Sequence, residues 1–555
     1  MTGLMLLGIA LVVCACGYFI YGRWLVRLWG VDPNARTPAY VHEDGNDYVP
    51  SSKFTVFAHQ FSSITGAGPV TGPIIAAMFG WAPVMLWLMV GGIFFGAVQD
   101  FTALYASVKN EGKSMGMLIE QYIGKTGKKM FLLFSWLFTL LVTAAFADIV
   151  ASTFNGFKAD GGLATPNAAA ASISMLYIVV AIAFGYFLKK CPLAEGPKLA
   201  VAIVLMIAML WTGIEYPLYY DKTTWLYVVF AYMFMAAVMP MWLLMEPRDY
   251  LSVFLLLGMI ASGVIGVIFT NPSIELPAFN GFVVNGQPLF PILFITIACG
   301  ACSGFHALVS SGTSSKQLAK ETDATAIGYG AMLLEGMVAV VSIVCVMILA
   351  KDSELITKAP NFIYAMGIGS FMELIGIPAA FGISFGLMAF TTFVYDTLDV
   401  CTRLGRYVIE ELTGWRDMKG KVLGTVLTSA VPIFFIFQTM TDAKGNVIPA
   451  WKTFWNTFGA SNQLLAALAL IGISIWLYNT RRNSKVWMAA CIPAVLMFLM
   501  SNWALLLSIY EGWVLGLGHP AVPVVSVILV ILSVLVAVET IYSVSKSKAQ
   551  IQKEQ

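Results

Sequence analysis

The sequence predicts an all-α, polytopic membrane protein of about fifteen transmembrane helices, and three observations carry that expectation. Hydrophobic residues fill 59% of the 555 positions and charged residues only 11%, too little polar surface to clothe soluble domains of this size. Apolar runs long enough to cross a hydrocarbon core, about 20 residues each, recur along the whole chain. The lysines and arginines are divided unequally between the two sets of connections that alternating spans create.

In chain order the runs are 3–28, 54–80, 82–108, 129–157, 168–190, 197–216, 223–246, 248–270, 290–312, 324–350, 378–402, 422–440, 455–478, 485–509 and 519–544. The first is too long for the apolar part of a signal peptide and lacks a small-residue cleavage site at a suitable distance, so it is expected to stay as a helix. One face holds 29–53, 109–128, 189–198, Arg248, 313–323, 403–421, 479–485 and the C-terminus, with Arg23 and Arg27 at the first helix end. It collects all of the 32 basic residues except Lys158, Lys222, Lys351, Lys358, Lys444 and Lys452. The positive-inside rule makes this basic-rich face cytoplasmic, the N-terminus external and the C-terminus cytoplasmic.

Within 54–80, the stretch from Phe57 to Pro73 is polar and rich in helix breakers. Pro69 and Pro73 lack an N–H, which frees the carbonyls of Thr65 and Pro69, and Gly66 and Gly68 let the chain unwind. Freed backbone at membrane depth is tolerated only where it is buried in protein or lines a polar cavity. A half-helix ending near Thr65 offers its negative end to a cation, and one starting near Pro69 offers N–H groups to an anion. The run 290–312 has a second such stretch, from Ile297 to Gly312, with glycines, hydroxyls and one of four histidines but no internal proline.

These two runs cross in opposite directions. They are read as the first helices of inverted repeats covering 54–270 and 290–544, after an extra helix at 1–28, in one membrane domain spanning 1–555. Paired interruptions in two halves point to a transport site at the bilayer midplane, and small-residue seams for helix packing are the competing reading. Ser62, Ser63, Gly66, Ala67, Gly68 and Pro69, with Ser303, Gly304, Phe305 and His306, are the expected substrate-binding residues. The substrate carboxylate is placed at the N–H groups around Gly68, because no basic residue falls near the centre of a span.

Ionisable groups inside spans mark pathways or pairs. Asp148, Asp396 and Asp399, with Thr391, Thr392, His59 and the carbonyls near Thr65, form the expected cation-coupling set. Asp399 could instead pair with Arg403 one turn on. Gln99, Asp100, Glu335 and the Glu246/Arg248 corner are read as pairs or caps, and Pro247 suits a first helical turn. Cys299 and Cys302 form a C-x-x-C with no second ligand pair, so they are read as packing residues. No H-E-x-x-H and no P-loop is present, and no signalling domain is appended, so neither an enzyme nor a sensor is expected. Neither a cofactor nor a metal nor a nucleic-acid partner is expected.

Six stretches carry a resemblance to a known family. They are Phe61–Pro69 with Gly72-Pro73, Gly96–Asp100, Pro247–Leu251, Ala298–Ser311, Thr397–Arg406 and Phe458–Ala466. In them the chain resembles the carbon starvation protein A (CstA) family along most of its length. The resemblance implies uptake of pyruvate or short peptides across the bacterial inner membrane, with protons favoured over Na⁺ as the driving ion. It also implies a place in the amino acid/polyamine/organocation superfamily with its LeuT-like fold. Beside the long members of the family the chain is shorter at its C-terminus, from which a missing regulatory element is expected. A five-plus-five helix core fits the seven-plus-seven count if the last two helices of each set are additions.

Overall fold

A computed structural model describes residues 2–554 apart from positions 46, 159, 192, 241, 350–352, 354, 355, 357, 416, 439, 442–446 and 481–484. Lys351 and Lys444 of the basic-poor face, and Arg416, Arg481 and Arg482 of the basic-rich face, therefore lie outside the described residues. Among the described residues, 12 helices are long and apolar enough to cross a membrane. The protein is a helical, multi-pass membrane protein.

The first half runs α1 (Gly3–Trp29), α2 (Lys53–Ile64), α3 (Gly68–Ala76), α4 (Trp81–Lys109), α5 (Lys125–Phe154), α6 (Thr165–Lys190), α7 (Glu195–Glu215), α8 (Lys222–Val238) and α9 (Met245–Thr270). The second half runs α10 (Leu289–Thr296), α11 (Ala298–Ala301), α12 (Gly304–Gly312), α13 (Ala331–Met347), α14 (Pro360–Leu374) and α15 (Ala379–Thr413). It ends with α16 (Met418–Ile436), α17 (Ala450–Thr480), α18 (Met488–Trp513) and α19 (Ala521–Glu554). Burial sorts these helices into layers: 94% of the apolar window of α17 is inside the protein, against 17% for α7. The core helix is rich in small residues that permit close packing, whereas α7 presents Val204, Ile207 and Trp211 outward.

The connections gather into the two sets that the basic residues define. At one end Gly3 N donates to Pro272 O (2.9 Å), Trp81 N to Pro277 O (3.3 Å) and Gly156 N to Tyr220 O (3.0 Å). At the other, Ser51 N donates to Gln317 O (3.0 Å), Asp32 N to Glu321 Oε1 (2.9 Å) and Ser543 Oγ to Tyr122 O (3.3 Å).

Among the described residues, the longest helix outside the fifteen expected runs is α14. At 15 residues, α14 is shorter than a bilayer crossing requires. It folds back antiparallel on the start of α15, where a Cβ on Gly386 would lie 2.9 Å from Ala365 Cα and one on Gly382 2.7 Å from Gly369 Cα. The two glycines let the backbones touch, and the N-terminus of α14 dips back toward the centre of the bundle at the basic-poor face.

Candidate functional site

Both interrupted runs are broken. The hydroxyl of Ser52 caps α2 by accepting from Thr55 N at 3.3 Å, and the helix ends at Ile64 because Thr65 leaves helical geometry (φ −80°, ψ 87°). The chain re-enters a helix at Gly68, with Pro69 in the first turn, where its missing N–H leaves no bond unmade. Pro73 lies inside α3 without interrupting it. In the second run α11 is followed by two extended residues, Cys302 (φ −166°, ψ 112°) and Ser303 (φ −122°, ψ 125°), before α12 begins. The breaks lie against each other. A Cβ on Gly68 would sit 2.1 Å from Cys299 Cβ, and one on Gly72 would sit 2.5 Å from Thr296 O.

At this crossing is a cavity of about 10 Å³, lined by Ile64, Gly66, Gly68, Cys299, Ser303, Thr397 and Asn462 with Val142, Phe138, Phe146, Phe305 and Phe458. It has room for about one water molecule. The phenylalanines form a continuous aromatic cluster, with ring centroids 6.1 Å apart for Phe138 and Phe458, 5.4 Å for Phe146 and Phe458, and 6.4 Å for Phe138 and Phe305. On the basic-poor side a cavity of about 710 Å³ reaches from Lys158 and Lys358 down to Thr71 in α3 and Phe390 in α15. On the basic-rich side a cavity of about 350 Å³ is bounded by Tyr48, Lys113, Ser311, Lys316 and Glu411. Two vestibules thus approach a closed centre.

On the basic-rich side the half-helices α2 and α12 are joined by a polar seam. Gln60 Nε2 donates to Ser310 Oγ (3.0 Å), Ser314 Oγ donates to Gln60 Oε1 (2.6 Å), and His59 Nε2 lies 2.8 Å from Thr313 Oγ1. His59 Nδ1 faces Asp249 Oδ2 at 2.6 Å.

That contact leads into a buried ion network around Arg248, which the sequence places with Glu246 at a helix corner. Arg248 is 1% exposed and sits in the first turns of α9. Its Nε lies 2.7 Å from Asp396 Oδ1 and its Nη2 3.1 Å from Asp249 Oδ1, and its Nη1 contacts Asp399 and donates to Tyr232 OH at 2.9 Å. Tyr232 OH donates to Asp399 Oδ2 at 2.5 Å. Asp399 does not pair with Arg403, whose Nη2 donates instead to the carbonyls of Ala236 (2.8 Å) and Met239 (2.5 Å). A guanidinium with five donors serves three carboxylates and a phenol where an ammonium would not.

His306 does not line the central cavity. Its Nδ1 lies 2.8 Å from Asp100 Oδ2, its Nε2 lies 3.3 Å from Glu335 Oε2, and all three side chains are buried. Of the expected substrate residues, Gly66, Gly68, Ser303 and Phe305 line the cavity. Ser62 and Ser63 turn toward His59, at 3.5 Å from its carbonyl and 3.4 Å from its Nδ1. Ala67 and Pro69 are buried, and Gly304 lets α12 touch α17 at Ala466 N.

The expected cation set is dispersed. Asp148 pairs with Lys222 Nζ (2.6 Å) and accepts from Trp451 N (3.1 Å), away from Asp396. Thr391 bonds its own helix at Leu387 O (2.9 Å), and Thr392 Oγ1 lies 3.7 Å from Met388 Sδ. Thr397 takes the place expected for them, donating to Ser63 O at 3.3 Å beside the break at Thr65. Asn462 was also missed: its Oδ1 accepts from Ser303 Oγ and from Phe305 N, both at 3.1 Å. Its position in Phe458–Ala466, among the stretches singled out in the sequence, was the available signal.

The sequence profile of carbon starvation protein CstA matches residues 2–363 and 352–504. The chain belongs to the CstA family. It is 30% identical to the pyruvate/proton symporter BtsT of Escherichia coli (strain K12), over 89% of this chain and 80% of that protein. It is 32% identical to the peptide transporter CstA of Campylobacter jejuni, over 88% of this chain and 77% of that protein. With the peptide transporter CstA of Bacillus subtilis it shares 31% identity over 89% of this chain and 88% of that protein. These relatives of the CstA-family chain are transporters and not enzymes. In structure it is similar to a manganese transporter of Eremococcus coleocola, with a TM-score of 0.53 and 12% identity, over 90% of this chain and 98% of that one, a likeness of fold alone.

Proposed function

We propose that this chain imports a small carboxylate-bearing solute, pyruvate, across the bacterial inner membrane by proton symport and alternating access. The observation that carries the reading is the closed cavity of about 10 Å³ where two broken helices cross, with a vestibule on each side. Opening one vestibule onto the centre while the other stays sealed is what alternating access requires. The substrate carboxylate binds at the first-turn N–H groups of α3 around Gly68, and Ser303 and Asn462 take its other polar atoms. In this reading 54–270 and 290–544 are inverted repeats of a LeuT-like fold after the extra helix 1–28, with the N-terminus external and the C-terminus cytoplasmic.

Uptake of di- or tripeptides is the alternative, supported by the similarity to peptide transporters. The compact centre favours the three-carbon acid, which needs less displacement of Phe138, Phe146, Phe305 and Phe458 than a dipeptide does. Purified protein in liposomes, given labelled pyruvate or a labelled dipeptide, decides between them. Accumulation of pyruvate that excess dipeptide leaves unchanged supports the reading, and accumulation of the dipeptide alone overturns it.

A further inference from the structure

The seam and the Arg248 network do not use the second buried histidine. His306 lies in the first turn of α12, one turn beyond Ser303, with Asp100 of α4 on one side of its ring and Glu335 of α13 on the other. A carboxylate only accepts hydrogen bonds, and a neutral imidazole has one N–H and one lone pair. Both ring nitrogens of His306 face carboxylate oxygens and the ring also meets the carbonyl of Ile64, so every partner is an acceptor and serving both nitrogens takes two hydrogens. The neutral ring supplies one. A second must be bound between Nε2 and Glu335 Oε2, or their lone pairs oppose each other in a site closed to water. Neither Glu335 oxygen has a hydrogen bond, and the side chain is fully buried.

His59 differs in the feature that matters. Its Nε2 faces a hydroxyl, Thr313 Oγ1, and its Nδ1 faces Asp249 Oδ2 with Ser63 Oγ nearby, so only one of its partners is a carboxylate. The Arg248 network also holds a permanent cation, whereas the charge of the His306 cluster is set by protons alone. The other ionisable groups facing the cluster are the thiols of Cys299 and Cys302.

We infer that His306, Asp100 and Glu335 form the proton-binding site that couples the gradient to the binding of an anionic solute at Ser303. The inference rests on the functional reading above and names the coupling residues within it. With the proton bound, the cluster carries one net negative charge and the two bridges hold His306 in place. Loss of the proton adds a second negative charge one helical turn from Ser303, on which the anionic solute rests, and pushes the imidazole away from Glu335. Binding is therefore ordered, with the proton first and the anion second. Gln99 ties the two sites together, because its Nε2 donates to Ser303 O at 2.6 Å and it directly precedes Asp100.

The test compares wild type with Glu335→Gln, which keeps the shape and removes the proton site, and with His306→Gln should the first variant fold poorly. In liposomes a one-unit inward pH gradient drives about tenfold accumulation by one-to-one symport. Wild type should approach that ratio. Glu335→Gln should stop near a ratio of one while keeping solute counterflow, and its affinity for pyruvate should lose the wild-type dependence on pH. Gradient-driven accumulation by Glu335→Gln equal to wild type overturns the assignment. A second readout involves no solute: a pH-indicator dye counts protons released by purified protein on an alkaline jump. One proton fewer in Glu335→Gln supports the site, and equal counts overturn it. Absence of pyruvate accumulation by wild type, with the difference in proton count intact, overturns the functional reading and leaves the proton site standing.

Discussion

Arg248 Nε lies 2.7 Å from Asp396 Oδ1, and both side chains are almost completely buried. This ion pair joins α9, which closes the first half of the chain, to α15 in the second. Removing one partner of a buried pair leaves the other charge uncompensated, at a cost of about 3–5 kcal/mol. Arg248→Met is expected to lower thermal stability in detergent by that order. Arg248→Lys should recover only part of the loss, because an ammonium cannot span Asp249, Asp396, Asp399 and Tyr232 together. An Arg248→Met protein as stable as wild type would contradict the network's role.

Gly68 and Cys299 predict a rescue. A methyl group on Gly68 has no room beside Cys299 Cβ, 2.1 Å away. Overpacking of this kind costs about 1–3 kcal/mol. Gly68→Ala should therefore lose uptake and stability, and adding Cys299→Gly should restore both. If the double variant is no better than Gly68→Ala, the alanine acts on something other than the helix crossing.

The orientation is open to direct labelling. With the exposed Cys16 and Cys191 and the half-buried Cys14 and Cys491 removed, cysteines added at Phe282 and at Lys485 test opposite faces. A membrane-impermeant thiol reagent on intact cells should modify the Phe282→Cys variant only. Labelling of the Lys485→Cys variant alone would invert the topology.

Much of the scaffold was legible in the sequence, because apolar runs and breaker clusters are local signals. The break at Thr65 follows from Gly66, Gly68 and Pro69, and the extended pair Cys302-Ser303 lies within a glycine-flanked polar stretch. The partners of the charges were not legible. Arg248 beside Pro247 reads as a helix corner, since nothing local reveals that α9 and α15 bring it to Asp396 and Asp399. Three carboxylates in or beside apolar runs do demand a counter-cation, and that demand could have singled out Arg248. His306 was placed on the substrate for the same reason: Asp100 and Glu335 approach it from helices distant in sequence. Helix α14 escaped notice because 15 residues is below the length of a crossing.

In the proposed transport cycle the solute binds where the two broken helices cross. Asn462 holds Ser303 Oγ and Phe305 N there through one oxygen. Asn462→Ala would leave both donors unpaired, a loss of about 1–3 kcal/mol each where water is excluded. The direct measurement is the dissociation constant of pyruvate for wild type, Asn462→Ala, Ser303→Ala and the vestibule variant Lys358→Ala, with thermal stability recorded for each. Binding at the crossing should show as weakening of at least about tenfold for the two central variants and an unchanged constant for Lys358→Ala. Wild-type affinity in both folded central variants would contradict it.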